Sequence, residues 1–301
     1  MDDRAVSPVV AAMLLLAVLV MFLSVYNAVV IPSLKQQAEV EHLRAVEESF
    51  LAFGSDITTA AALKQDLHLS KRIPLGGGET ILDPVRSAGT LRVDPGGPLA
   101  NVTLNGTTYT CNLTKFSYTP IGNFWRNQGY AWQYGYTNVT DEVLQTPLDY
   151  PGMDEVCEAA SASGFARSLI GIEHEGSENC TKITISLVTF ELGERNFTSG
   201  NGVGTLFLDA TVEDIPVNLT DTGASKTIEI AVNTSLPVPL NASLWQKCNE
   251  TLSKMNGTYD NVEDYMTMPE EGRDRVTLSF DEEHVPEVTL RLVRVVVSAR
   301  G

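Results

Sequence analysis

The chain has 301 residues with 21 Lys and Arg against 38 Asp and Glu, a net charge of −17. That balance argues against nucleic acid as a partner, because no local cluster of basic residues offsets the repulsion between two polyanions. With 43% hydrophobic residues the chain can bury a real core, which excludes disorder for most of its length.

The apolar residues are concentrated at the start. Residues 5–34 carry no charge, and Val9 to Leu23 are fifteen consecutive apolar residues. At about 1.5 Å per residue a helix of this length crosses roughly 30 Å of hydrocarbon with length to spare. A cleaved secretory signal fits poorly. Its apolar region would be too long, and cleavage after Ala28 would place Tyr26 where a small residue is needed. Ser7 and Pro8 suit a helix start, as cap and first-turn proline.

The helix is expected to continue past Pro32. Val40, Leu43, Val46, Phe50, Phe53, Ile57 and Ala60 recur every three or four residues, with Glu39, Glu41, Arg44, Glu47, Glu48 and Asp56 off that stripe. The two parts together predict one rod of about 55 residues, roughly 80 Å long, with a kink at Pro32.

The run Asp3-Arg4-Ala5-Val6-Ser7-Pro8-Val9-Val10, a short charged leader ahead of a long hydrophobic helix, resembles the N-terminal domain of archaeal type IV pilins over about the first 35 residues. The resemblance implies that a prepilin peptidase removes residues 1–5, with Arg4 and Ala5 as the recognition positions and Val6 as the new N-terminus. It further implies a membrane-inserted precursor, N-terminus inside and head outside, handed to a pilus assembly machinery. Its subunits would then associate through their N-terminal helices in an extracellular filament. In that arrangement Leu14, Leu15, Leu16, Met21 and Phe22 would pack between subunits, while Ala11, Ala12 and Ala17 allow close approach. The alternative is a permanently anchored extracellular glycoprotein that binds as a receptor or envelope component and does not assemble; its side chains would face lipid.

Residues 70–301 are expected to form an extracellular, β-rich head that is a soluble monomer by itself, with residues 6–65 as helix and stalk. The fold class expected is α+β, a sandwich-like sheet region with inserted helices. Strands are predicted at 89–93, 101–110, 112–118, 130–136, 182–191, 204–212, 226–233, 276–280 and 288–298. Turns are predicted at Gly76-Gly77-Gly78, Asp94-Pro95-Gly96-Gly97, Asn105-Gly106 and Asn201-Gly202. Helices are predicted near 154–169 and 243–255, and a subdivision of the head near 151 is open.

Three features of the head bear on function. Eleven of its asparagines sit in Asn-x-Ser/Thr: Asn101, Asn105, Asn112, Asn138, Asn179, Asn196, Asn218, Asn233, Asn241, Asn249 and Asn256. Such a density predicts a glycosylated surface outside the cell. Cys111, Cys157, Cys180 and Cys248 match no metal-ligand spacing, and in an exported head they predict two disulfides. Strand alternation places Tyr130, Trp132, Tyr134 and Tyr136 on one face, either as core or as an exposed ladder for stacking on sugars.

Catalytic patterns are missing. The four histidines are scattered, and no nucleophile elbow, zincin motif, phosphate loop or dinucleotide fingerprint occurs. The acidic stretches around Asp260 to Glu271 and Asp281 to Glu283 lack EF-hand spacing and suit a solvated face. The sequence therefore implies no enzyme, no cofactor and no metal.

Overall fold

The computed structural model describes residues 3–79, 86–123, 127–140, 145–147, 154–219, 227–233, 240–260, 275–280 and 285–301, with side chains described at all of these except 3–7, 145–147 and 154–161. The chain is an α+β protein. It begins with an unbroken helical rod: α1 (Asp3–Val25), a π-helical turn (Tyr26–Val30) and α2 (Ile31–Leu63). The rod ends where Lys64 turns into the left-handed conformation, φ 50°, and returns its N–H to Ala60 O at 3.2 Å.

Just ahead of Pro32, where a kink was expected, the rod takes a π turn. The Ile31 N–H reaches back five residues to Tyr26 O, which widens the helix just before a residue that has no N–H to donate. Asn27 Nδ2 caps the Leu23 carbonyl at 2.9 Å on the same turn.

Among the described residues twelve strands follow, in one curled sheet: β1 (Leu67–Pro74), β2 (Ala88–Leu104), β3 (Thr107–Ile121), β4 (Gly129–Gln133), β5 (Tyr136–Thr140), β6 (Gln145–Pro147), β7 (Ile170–Gly176), β8 (Cys180–Gly200), β9 (Val203–Val217), β10 (Thr227–Val232), β11 (Arg275–Ser279) and β12 (Glu287–Arg300). The main order is β1-β9-β12-β8-β2-β3-β4-β5-β6, with β7 on β8 and with β10 joining β2 to β11. Among the described pairs β12 and β8 run parallel and the others are antiparallel. Helices α3 (Asp154–Leu169) and α4 (Leu240–Asn256) are inserted where helices were expected.

One turn expectation and one strand expectation are corrected. Asp94-Pro95-Gly96-Gly97 does not end a strand. It sits inside β2, where the pairing with β3 slips between Pro95 and Gly97 and again between Pro98 and Ala100. Proline cannot donate to the ladder, so the strand bends there. Its first part, Gly89 to Arg92, pairs with the end of β8, and its second, Ala100 to Leu104, pairs with β10. Conversely, 130–136 is not one strand but a hairpin. Tyr134 at φ 58° and Gly135 at φ 91° form its two-residue turn, the type I′ geometry also seen at Asn105 and Gly106.

The core spans the whole head. Strands on both sides of residue 151 share the sheet, since β2 pairs with β8 and β10. The second half of the rod belongs to the same core. Leu43, Val46, Phe50, Phe53, Ile57, Ala60 and Ala61 of α2 are buried against the sheet. The stripe read from the sequence is therefore correct for its apolar members from Leu43 onward, Val40 being half-buried, but the boundary between stalk and head near 65–70 runs through a packed interior.

Candidate functional site

The functional element that stands out is the rod and the way the head holds it. Residues 8–25 are exposed along their whole length. Leu14, Leu15, Leu16, Met21 and Phe22 are exposed by 62% or more, although a soluble surface rarely leaves a continuous apolar stretch open to water. The helix is long and apolar enough to cross a membrane, and its most apolar window is wholly unburied. Arg4, Ala5 and Val6 lie in the first turns of α1, and their side chains are outside the described residues.

The seat of α2 is aromatic. Phe50 and Phe53 lie 5.0 and 5.2 Å, ring centre to ring centre, from Phe116 of β3. Phe116 stacks on Trp132 of β4 at 5.3 Å, Trp132 meets Phe165 of α3 edge-on at 5.4 Å, and Phe165 reaches Phe190 of β8 at 6.0 Å. Burying each such ring is worth about 1.5 to 3 kcal/mol relative to exposure, and edge or offset ring pairs add to that. Gly54 permits the close approach: a Cβ there would lie 2.7 Å from the Trp132 ring.

This packing decides the role of the aromatic ladder. Tyr130, Trp132, Tyr134 and Tyr136 are all buried, at 1%, 1%, 8% and 4% exposure. They are not an exposed platform for sugars. Tyr130 and Trp132 share the face that receives α2 and α3, where Phe50, Phe116 and Phe165 meet them, whereas the hairpin turn pairs Tyr136 with Gln133 and so carries it to the other face.

Nearer the apolar end of α2, the chain from Leu75 to Gly78 runs as a strap across the helix. His42 Nε2 is 3.0 Å from the Tyr118 hydroxyl, which donates to Leu75 O at 3.2 Å. A side chain at Gly77 would collide with the His42 ring, its Cβ falling 2.5 Å from Cγ. Ser87 ties the strap down from the other side. Its N–H donates to Gly77 O at 2.9 Å, and its hydroxyl bonds the same residue. Beneath the strap Glu39, expected on the solvated side of the helix, is buried at 3% exposure. Burial lowers the His42 pKa below its ordinary value, partly opposed by the Glu39 carboxylate. Sequence reasoning read Gly76-Gly77-Gly78 only as a turn; the signal for its role was three adjacent small residues, which suit backbone packed against a helix.

At the far end of α2, Lys64 is largely buried and its pKa is pushed down to about 8, first by that burial and then by the nearby Lys247 ammonium. Lys247 itself donates to the carbonyls of Arg167 and Ile170 at the end of α3, where cations complement the helix C-terminus.

Among the described residues the expected disulfides are not seen: Cys111, Cys180 and Cys248 are buried, and Cys157 lies on α3 with its side chain outside the described residues. Cys111 Sγ donates to Val188 O at 3.0 Å, and Cys180 Sγ lies 3.7 Å from Lys182 O. Burial raises the Cys111 and Cys248 thiols to about 12 and Cys180 to about 11. These are packed, unreactive groups that behave as small hydrophobes.

None of the eleven acceptor asparagines is fully buried. Asn101, Asn112 and Asn218 are exposed, and Asn105, Asn138, Asn179, Asn196, Asn233, Asn241, Asn249 and Asn256 are half-buried. They differ in freedom. Asn233 Nδ2 donates to Pro98 O at 2.8 Å, and the carboxamide oxygens of Asn138 and Asn249 are enclosed.

Among the described residues no three His, Cys, Asp or Glu side chains converge as metal ligands would. Of the acidic stretches, Asp260 is described, while 261–274 and 281–284 lie outside the described residues. No protein-family model, no curated protein and no solved structure matches this chain.

Proposed function

We propose that this chain is the structural subunit of an archaeal type IV pilus-like surface filament. The observation that carries the reading is the division of one helical rod into two halves: Val9 to Leu23, apolar and bare, and Leu43 to Ala61, locked into the head. A lone bare helix of this kind is stable only in lipid or against other apolar helices. The precursor holds it in the membrane with the N-terminus inside. Removal of residues 1–5 by a prepilin peptidase takes away Asp2, Asp3 and Arg4, leaving an apolar end able to move from lipid into a bundle of identical helices. Leu14, Leu15, Leu16, Met21 and Phe22 then fill the spaces between subunits, and the head faces outward, glycosylated on its acceptor asparagines, for attachment to surfaces. The assembly machinery and the peptidase are its partners, and the reading gives the chain no catalytic or cofactor site.

N-terminal sequencing of the protein from cells tests this. A pilin-like subunit begins at Val6 and is recovered in sheared filaments. A chain that keeps Met1 to Ala5 and stays with the membrane is instead an anchored surface glycoprotein.

A further inference from the structure

We infer that the outer face of the sheet, at the end of the head from which the bare helix leaves, is a docking surface for the α2 helix of a second copy of this chain. The inference rests on the filament reading above and names the contact between heads and stalks.

The surface is built by register. Arg72 of β1 and Arg300 of β12 both stand opposite Thr205 of β9, and residues directly opposite in a sheet project to the same side. Their chain neighbours Ile73 and Ala299 are fully buried on the inner side, so both arginines face out. Beside them Arg195 and Arg300 line a shallow depression of about 420 Å³ together with Phe197 and Val203. Phe197 is 57% and Val203 53% exposed. No acidic side chain lines the depression. Arg300 lies over the Phe207 ring, 5.1 Å from its centre. In a chain of net charge −17, this is a cationic and apolar patch in an otherwise acidic surface.

The complementary surface is on α2. Its buried face, with Leu43, Val46, Phe50 and Phe53, lies on the inner side of the sheet. The exposed residues Leu34, Gln37, Glu41, Arg44, Ala45 and Glu48 follow helical spacing and point the opposite way. Glu41 and Glu48 are two turns, about 10 Å, apart on that stripe. From residue 39 to 48 the helix holds four glutamates and one arginine. The stripe and the patch stand at the same level, because Leu75, which lines the depression, takes the Tyr118 hydrogen bond that His42 shares.

The two surfaces therefore sit on opposite sides of one molecule. A chain cannot satisfy its own complementarity, and front-to-back contact between copies is heterologous, which propagates instead of closing. Leu34 would meet Phe197 and Val203, and Glu41 and Glu48 would meet Arg195 and Arg300, the arginines giving orientation and register.

Charge exchange in the full-length chain tests the contact. Arg195→Glu with Arg300→Glu should lower filament yield by about tenfold or more, with membrane insertion and processing at Val6 unchanged. Glu41→Arg with Glu48→Arg should do the same, and the four changes combined should restore assembly. Normal yield from the arginine variant, or no recovery in the combined one, would overturn the contact while leaving the filament reading intact. A loss of adhesion to anionic glycans with normal assembly would overturn it too, assigning the patch to attachment. Absence of filaments from the unmodified chain would remove both the filament reading and this contact.

Discussion

His42 of the stalk helix and Tyr118 of strand β3 are joined 3.0 Å apart, and the Tyr118 hydroxyl continues to Leu75 O. The proton arrangement that satisfies both bonds has neutral His42 donating from Nε2 and Tyr118 donating onward. Because burial lowers the His42 pKa, the unfolded chain takes up a proton there before the folded one does. The contribution of the neutral ring is complete above the ordinary histidine value of about 6.5 and is lost as pH falls below it toward the lowered folded value. Thermal unfolding of the detergent-solubilised protein should therefore show a drop in Tm between about pH 7 and pH 5 that is smaller in His42→Phe. An equal drop in both would mean that other groups cause it.

Gly54 sets how closely α2 approaches the Trp132 ring. Gly54→Leu forces extra atoms into a position where even Cβ has only 2.7 Å, and overpacking of this kind costs about 1 to 3 kcal/mol. For a chain of this size that corresponds to roughly 2 to 10 °C in Tm. Calorimetry on the variant checks it; an unchanged Tm would mean that the helix seat is loose.

The packing of α2 moves the point at which the chain can be cut. A fragment of residues 33–301 keeps Leu43 to Ala61 in place and should be soluble and folded by circular dichroism and size-exclusion chromatography. A fragment of residues 70–301 loses Phe50, Phe53 and Ile57 from the core and should aggregate, since truncating even one such side chain costs about 2 to 5 kcal/mol. A well-folded 70–301 fragment would show the helix to be an accessory.

Leu16 lies in the middle of the bare span. Leu16→Asp should leave the Tm of the head unchanged because the side chain touches nothing in it, while costing about 3 kcal/mol for membrane insertion. Carbonate extraction of membranes and filament yield are the measurements, and both should fall. Normal insertion and assembly would mean that this stretch is neither spanning lipid nor packed in a bundle.

Buried thiols make a redox prediction. Cys111, Cys180 and Cys248 should react with a thiol reagent slowly in the folded protein and rapidly in denaturant, and a reducing agent should leave the Tm unchanged. A fall in Tm on reduction would reveal a bridge, since losing a disulfide costs about 2 to 5 kcal/mol. Glycopeptide mass spectrometry makes the parallel check on the asparagines: Asn101, Asn112 and Asn218 should be occupied, and Asn138 and Asn249, with enclosed carboxamides, should not.

Local pattern determined a large part of this protein. The charge-free run, the three-and-four spacing of α2, and the alternation in β9 and β12 each reflect one element meeting one uniform environment, so each was legible from neighbouring residues alone. Asn105-Gly106 and Asn201-Gly202 were legible for the same reason, because hairpin turns are short-range. The tertiary structure decided what depends on distant partners. Tyr134 and Gly135 turn because the ring chain from Phe116 to Phe165 needs β4 and β5 folded back on each other. Asp94-Pro95 stays within a strand because β8 and β10 capture its two halves. Glu39 is buried because a glycine strap, with Ser87 as its tie, lies across it. Cys111 and Cys248 are thiols enclosed in the packed interior of the head, a burial that their spacing in the sequence does not carry. Alternation placed Tyr130, Trp132, Tyr134 and Tyr136 on one face, but the hairpin turn sends Tyr136 to the other one, and only the arrival of α2 made the face of Tyr130 and Trp132 interior, since burial belongs to pairs of surfaces and a single strand carries half of the information.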